Sequence, residues 1–259
     1  MADGGAVAVG VSGGGGSCSG RSSAAPAKYE RIVTLFSPEG RIRQLDYACN
    51  AVKLAGTTSV GVRGADCVYV VTHRKEDKLQ DKTAISHLFA ITERMGLLAT
   101  GMPADGRALA HEARNAAAEF RFQWGYEMPP RMLAQWIADR AQIHTQHAKI
   151  RPYGVVSMIF GIDEEEGTPQ LFTCDPAGQF FGHKATGAGL KEKEVINFLE
   201  ERMKSNPSLS SESTFELVKC ALEHVLWGDF YTQEYEIGVI SKEDPTVRLF
   251  SEKFVRGQS

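Results

Sequence analysis

The chain has 259 residues, of which 42% are hydrophobic and 24% charged, with a formal net charge of −3. This length suits one large domain or two small ones, and the composition is that of an ordinary globular protein. The charge balance does not point to nucleic acid or an acidic membrane surface, and no run approaches the roughly 18 apolar residues of a membrane span.

Residues 1–27 form a Gly/Ser/Ala tail around the run Gly13-Gly14-Gly15-Gly16. Such a segment buries too little apolar surface to offset its ordering entropy, so a flexible extension is expected, followed by one folded domain over residues 28–259. Within the tail, residues 6–11 are weakly apolar but follow Asp3 instead of a basic region, so a signal peptide is not expected. The five cysteines, Cys18, Cys49, Cys67, Cys174 and Cys220, are widely spaced and contain no CxxC pair. That usage fits a reducing compartment, cytoplasm or nucleus, with buried thiols expected at all but Cys18.

Residues 32–36 read as a short extended run ended by the turn Ser37-Pro38-Glu39-Gly40. A helix follows, with Ile42, Leu45, Cys49, Val52 and Ala55 on one face. Strands are expected at 58–63, 67–72, 88–92 and 96–100. Asp105 is placed to N-cap a helix running to about residue 123, and Pro130 suits the first turn of a second helix to about 147. Strands are expected again at 155–162, 170–174 and 179–182. Two more helices are expected at 190–203 and 213–226, the second opening on Ser213 and Glu216 in the pattern of a capping box. Strands at 235–240 and 247–250 close the chain.

Strands therefore come in groups and helices in pairs, unlike the strict alternation of a parallel βαβ sheet. Grouped strands favour antiparallel hairpins, and paired helices would cover the outer faces of two sheets packed together. The expected class is α+β, a four-layer αββα sandwich.

The segment Tyr29-Glu30-Arg31-Ile32-Val33-Thr34-Leu35-Phe36-Ser37-Pro38-Glu39-Gly40-Arg41 continues as Ile42-Arg43-Gln44-Leu45-Asp46-Tyr47-Ala48. It resembles the N-terminal signature of proteasome alpha subunits over about twenty positions. Gly56-Thr57-Thr58-Ser59-Val60-Gly61, Arg151-Pro152-Tyr153-Gly154, Asp175-Pro176-Ala177-Gly178 and Lys184-Ala185-Thr186 resemble further landmarks of that family. Within the family, residues 83–92, the stretch Gly161-Ile162-Asp163-Glu164-Glu165 and the surroundings of Asp175 are most similar to the alpha-6 type, often called alpha-1 by ring position. The resemblance implies the fold of N-terminal-nucleophile hydrolases. It also implies a seven-membered alpha ring stacked on proteolytic beta subunits, with unfolded polypeptides threaded through a gate that the alpha N-termini close.

The competing reading is a threonine peptidase, because Thr57 follows Gly56 as the nucleophile follows glycine in active beta subunits. In that chemistry the hydroxyl attacks while the freed α-amine, titrating near ~8, serves as base; a peptide nitrogen cannot. Cleavage before Thr57 would remove the whole signature and its amphipathic helix. By the resemblance, the catalytic aspartate of beta subunits falls at His73, the lysine at Phe89 and a serine at Ala188. A non-catalytic subunit is the expectation, with no catalytic residue, no metal and no cofactor.

The resemblance further assigns gate support to Tyr29, Glu30, Pro38 and Tyr47, Glu30 standing where aspartate is more usual. It also matches His87, Gly101 and Met102 to a pocket that receives the C-terminal tails of activator ATPases, with histidine in place of the common lysine and so only partly charged near neutrality. The implied partners are neighbouring alpha subunits, beta subunits, activator particles and polypeptides in transit. A stand-alone binding domain explains the signature poorly. His144 and His147 form an HxxH pair with no evident third ligand, and ordinary histidines are the better reading. The stretch Gly101-Met102-Pro103-Ala104-Asp105-Gly106 lacks the Lys and Ser/Thr of a phosphate loop. Glu164-Glu165-Glu166 followed by Gly167 reads as a solvated hairpin tip.

Overall fold

The computed structural model describes residues 28–74, 79, 86–205 and 209–254. The extension expected at residues 1–27, Cys18 and part of the 83–92 segment lie outside these residues.

A one-turn helix, α1 (Lys28–Arg31), leads through a turn to α2 (Arg43–Leu54). Strands β1 (Thr58–Arg63), β2 (Cys67–Arg74), β3 (Leu88–Thr92) and β4 (Met95–Gly101) follow. After α3 (Pro103–Trp124) and α4 (Pro130–Gln146) come β5 (Val155–Ile162), β6 (Pro169–Cys174), β7 (Phe180–Gly182) and β8 (Ala185–Gly189). Helices α5 (Glu192–Ser205) and α6 (Ser211–Leu226), a 3-10 turn (Trp227–Thr232), β9 (Glu234–Ser241) and β10 (Arg248–Glu252) complete the described chain.

Among the described residues the strands form two five-stranded sheets, ordered β10-β9-β2-β1-β8 and β3-β4-β5-β6-β7. Every pairing within them is antiparallel. Helices α5 and α6 cover the outer face of the first sheet, and α3 and α4 that of the second, giving the four-layer αββα sandwich of the N-terminal-nucleophile hydrolase type.

The period-2 geometry of a strand sends alternate residues to different layers. In β2, Val68 and Val70 face the other sheet, where they meet Leu98, Met158 and Phe160. Val71 faces α5 and α6, together with Val195, Val218 and Leu222. In β4, Leu97 joins Leu109, Leu133 and Ile137 under α3 and α4, whereas Leu98 joins the central layer. Both faces being covered, β4 is buried along its whole length. The centre is keyed by Phe160, fully buried, whose ring tip fills the space left by two glycines. A Cβ on Gly96 would lie 2.3 Å from that ring, and one on Gly238 in the opposing sheet 2.8 Å.

Four expectations are corrected. Residues 32–36 pair with no strand among the described residues; the chain turns there, burying Val33 and Ser37 while Phe36 is 70% exposed. Asp105 is not an N-cap: the cap position is Met102, without a side-chain hydrogen bond, because the Asp105 carboxylate is engaged by Arg151. Nor does Ser213 begin a capping box, since α6 is capped one turn earlier by Ser210, whose hydroxyl accepts from the Ser213 amide. Cys67 and Cys174 are buried, but Cys49 and Cys220 are exposed on α2 and α6.

The sequence pattern also missed β8. Its residues Ala185-Thr186-Gly187-Ala188-Gly189 have weak strand propensity, yet they pair with β1 from Ala185 opposite Val62 to Gly189 opposite Thr58. Small residues are needed because α5 presses closely: a Cβ on Gly187 would sit 2.6 Å from the Val195 side chain.

The second sheet is joined to α3 and α2 at one end. Arg151 donates two hydrogen bonds of 2.6 Å to the Asp105 carboxylate, which also accepts from the Gly154 amide at 2.9 Å. The Met102 amide donates back to the Gly154 carbonyl at 2.9 Å. Asp105→Ala leaves a buried amide without its acceptor and the guanidinium without its carboxylate. A loss of roughly 2 kcal/mol is expected, read as a lower urea midpoint at unchanged slope.

Candidate functional site

Three neighbourhoods contain the residues singled out by sequence. The first is the N-terminal turn. Glu30 is half-buried in α1, and its carbonyl accepts a hydrogen bond from the Gln44 side chain of α2. The Ser37 amide bonds to the Arg41 carbonyl and the Gly40 amide to the Ser37 carbonyl, both at 2.8 Å, closing the turn that carries Pro38. Gly40 adopts φ 75°, a left-handed conformation that glycine reaches without a Cβ penalty. Arg43 bridges to Glu39 at 3.2 Å and to Asp46 at 3.8 Å, across exposed positions where such pairs contribute little. Pro38 and Tyr47 are exposed, Tyr47 to 49%. The Tyr29 side chain lies outside the described atoms.

Helix α2 is half-seated. Ala48 and Val52 are buried against the β4–β5 end, but Leu54 is 86% exposed. Gly56, at φ 77°, ends the helix by donating to the Lys53 carbonyl, and the next residue, Thr57, leads into β1. Of the stripe read from sequence, Val52 is buried, Ile42, Leu45 and Ala55 are half-buried and Cys49 is exposed, so this chain covers it only in part.

The second neighbourhood surrounds Thr57. Its side chain is 3% exposed, and its hydroxyl has no hydrogen-bond partner among the described residues. Its carbonyl accepts from the Leu190 amide at 3.0 Å. A Cβ on Gly189 would come within 2.0 Å of that carbonyl oxygen, so β8 closes directly over this backbone. His73 Nδ1 accepts from the Thr58 amide at 3.0 Å. Burial pushes the His73 imidazole below its ordinary pKa, which keeps it neutral near pH 7. Phe89 is a half-buried aromatic and Ala188 is buried, so neither provides a charge or a hydroxyl. A carboxylate and an ammonium, which the threonine-peptidase reading would require at residues 73 and 89, are replaced by a neutral ring and a hydrocarbon.

The third neighbourhood contains His87. Its carbonyl accepts from Ala99 of β4, which places it two residues from Gly101 on the next strand. His87 is buried, and burial lowers its pKa against the opposing pull of Glu236. Its Nδ1 is without a partner among the described residues. Gly101 takes φ 133° so that its backbone can pass Gly154, where a Cβ would lie 2.3 Å from the Gly154 carbonyl oxygen; Met102 is 39% exposed.

Sequence reasoning missed Glu236, which organises this corner. Its buried carboxylate accepts from the His87 amide at 2.8 Å and the Ser86 hydroxyl at 3.2 Å, with Arg74 at 3.9 Å. No local pattern could reveal a partner 149 positions away. His144 stacks on Tyr153 at 4.5 Å, and His147 is exposed. Among the described residues no group of three His, Cys, Asp or Glu side chains could hold a metal ion, and no helix is long and apolar enough to cross a membrane.

The profile of proteasome subunits matches residues 54–240, and the profile of the N-terminal signature of A-type proteasome subunits matches residues 29–51. The chain belongs to the proteasome alpha-subunit family. It is 44% identical to a probable alpha type-1 proteasome subunit of Schizosaccharomyces pombe over 84% of this chain and 89% of that relative. It is 34% identical to the alpha type-6 proteasome subunit of Caenorhabditis elegans over the same shares. It is also 35% identical to an alpha proteasome subunit of Methanosphaerula palustris over 88% of this chain and 92% of that relative. The signature match covers the turn and most of α2, and the longer match covers the sandwich from β1 into β9, short of β10.

His73 titrates against the fold. Its folded pKa lies below its unfolded value of 6.5, so below that pH the unfolded chain binds the extra proton and stability falls. His87 shifts in the same direction. Urea midpoints should therefore drop between pH 7 and pH 5. The drop should be smaller in His73→Asn, which keeps an acceptor for the Thr58 amide but does not titrate.

Proposed function

We propose that this chain is a non-catalytic structural and gating subunit of the alpha ring of the proteasome core particle. It controls the admission of unfolded polypeptides to a chamber of proteolytic beta subunits. The observation that carries this reading is the seating of α2, which leads straight into β1, on the β4–β5 end of the sandwich. A threonine nucleophile needs the Gly56–Thr57 bond cut to free its amine. Cutting it would detach the helix that buries Ala48 and Val52. Neutral His73 and apolar Phe89 further disfavour the peptidase alternative.

The apolar side chains this chain leaves in solvent fit a ring subunit with neighbours. Phe36, Tyr47 and Leu54 are exposed around the N-terminal unit, and Phe122 and Trp124 at the end of α3 are 93% and 60% exposed. Surfaces of that kind mark protein contacts. Neighbouring alpha subunits and beta subunits are the partners proposed for them.

At the gate, Tyr29, Glu30, Pro38 and Tyr47 support the N-terminal segments, with residues 1–27 as a flexible extension beyond them. Activator tails dock in the pocket of His87, Gly101 and Met102. Because His87 is buried and neutral, recognition there rests on shape and backbone contacts, without a lysine-like salt bridge. On its landmark residues we read the chain as the alpha-6 type, ring position alpha-1. Ubiquitin-dependent protein degradation in cytoplasm and nucleus is the corresponding setting.

Intact mass and N-terminal sequencing of the chain from native particles test this directly. Retention of residues 29–56 is expected; a chain beginning at Thr57 would overturn the reading. Thr57→Ala should leave the peptide-hydrolysis rate of assembled particles unchanged. Tyr47→Ala should lower activator-stimulated hydrolysis while sparing assembly, as seen by native electrophoresis.

A further inference from the structure

The solvent-facing side of α5 and α6 carries two grooves that share one wall residue, His224. The first, about 600 Å³, runs past Glu194, Phe198 and Glu201; the second, about 620 Å³, is framed by Trp227 and Tyr231. Phe198 stacks on His224 at 4.8 Å, so the two grooves have a continuous aromatic floor.

Trp227 is the unusual residue. It ends α6 at φ 48° and ψ −115°, and it is the one non-glycine with positive φ among the described residues. Glycine reaches that region freely, whereas a bulky side chain is strained there. Burial inside this chain does not offset the strain, because the Trp227 side chain is 80% exposed. Phe230, in the same turn, is the residue that anchors it: fully buried, stacked on Phe254 at 5.2 Å and beside Tyr235. The turn would fold around Phe230 with a smaller residue at 227. The indole is therefore held in solvent at a cost that the isolated chain does not recover.

The charges around it select a partner. Carboxylates at Glu194, Glu201 and Glu223 line the grooves. Opposing them is Arg202, whose guanidinium lies over Phe198 at 5.3 Å. The nearby Lys191 amine is occupied by the Val225 carbonyl at 2.6 Å. Glu223, in the groove of Trp227, already accepts the Tyr231 hydroxyl; the exposed indole of that groove and the Glu194 and Glu201 carboxylates of the adjoining one together favour a cation, through the ring face and through charge-assisted hydrogen bonds. A second copy of this face would oppose like charges across a two-fold axis.

We propose that this aromatic, acid-rimmed groove docks a lysine- or arginine-bearing segment of a partner protein, with Trp227 as its anchor. The test uses the full chain and a fluorescein-labelled peptide of alternating arginine and leucine, compared with its glutamate–leucine counterpart, by fluorescence anisotropy. Saturable, salt-sensitive binding of the basic peptide alone is expected. Both Trp227→Gly and the double variant Glu194→Lys/Glu201→Lys should weaken it about tenfold. Trp227→Gly should also leave the melting temperature unchanged or higher, because it relieves the backbone. Equal binding of both peptides, undiminished binding by Trp227→Gly, or a lower melting temperature in that variant overturns the proposal. Self-association lost in Trp227→Gly, without binding of the basic peptide, overturns it in favour of a second copy.

Discussion

The ion pair between Asp105 and Arg151 fastens the chain just beyond the end of the β4–β5 ladder, where Gly101 stands opposite Val155. Through the Asp105 carboxylate it joins the first turn of α3 to the segment that enters β5, and the Gly154 amide bonds to the same oxygen as one guanidinium nitrogen. The Arg151 guanidinium holds the Asp105 carboxyl below the usual carboxylate range, so the pair stays charged near neutrality. Its Arg side is 60% exposed and its Asp side only 10%. The mainly buried member accepts three hydrogen bonds, which is how a charge is tolerated away from water. Gly101 and Met102 pass directly over this knot, and the space above Gly154 is shared by Met102 and by Ala51 of α2. The seat of α2 and the neighbourhood of Met102 are therefore set by one arrangement.

Between the sheets, positioning depends on shape instead of charge. Phe160 occupies a slot that exists because residues 96 and 238 lack side chains, one in each sheet. Ser59 adds a short polar chain across the same layer, donating to Thr72 at 2.8 Å and accepting from Thr100 at 2.7 Å. Close-packed interiors transmit such constraints because they have little free volume. The edges of the sandwich are looser in chemical terms, and large apolar side chains stand in solvent at α2, at the end of α3 and at Trp227. A fold with so tight a centre and so many exposed apolar groups at its margins is suited to serve as a building block.

The region around Thr57 combines close backbone packing with buried, uncharged side chains. Backbone geometry there is close and well bonded: β8 lies across β1, and Leu190 bonds to the Thr57 carbonyl. Two of the side chains that threonine chemistry would use have no counterpart here, since His73 is neutral and residue 89 is phenylalanine. Thr57 and Thr58 are buried with hydroxyls that have no partner among the described residues.

Much of this protein was legible in its sequence because short-range rules govern it. Strands β1, β3 and β5 have the bounds expected from the sequence, and α4 opens on Pro130 as expected. The grouping of strands and pairing of helices implied two covered antiparallel sheets, and the signature over residues 29–48 named the family. Tertiary structure decided the remainder, wherever a residue answers to a distant partner. Asp105 left its expected cap for Arg151, 46 positions away; β8 formed from poor strand formers because β1 and Val195 accept only small residues; Glu236 reached back 149 positions to the His87 amide. The exposure of Cys49, Cys220 and Trp227 likewise depends on which side of a helix or turn the rest of the chain happens to cover. Local patterning sets which segments become helix or strand, but the free energy of a buried contact belongs to both of its partners, and only the folded chain brings them together.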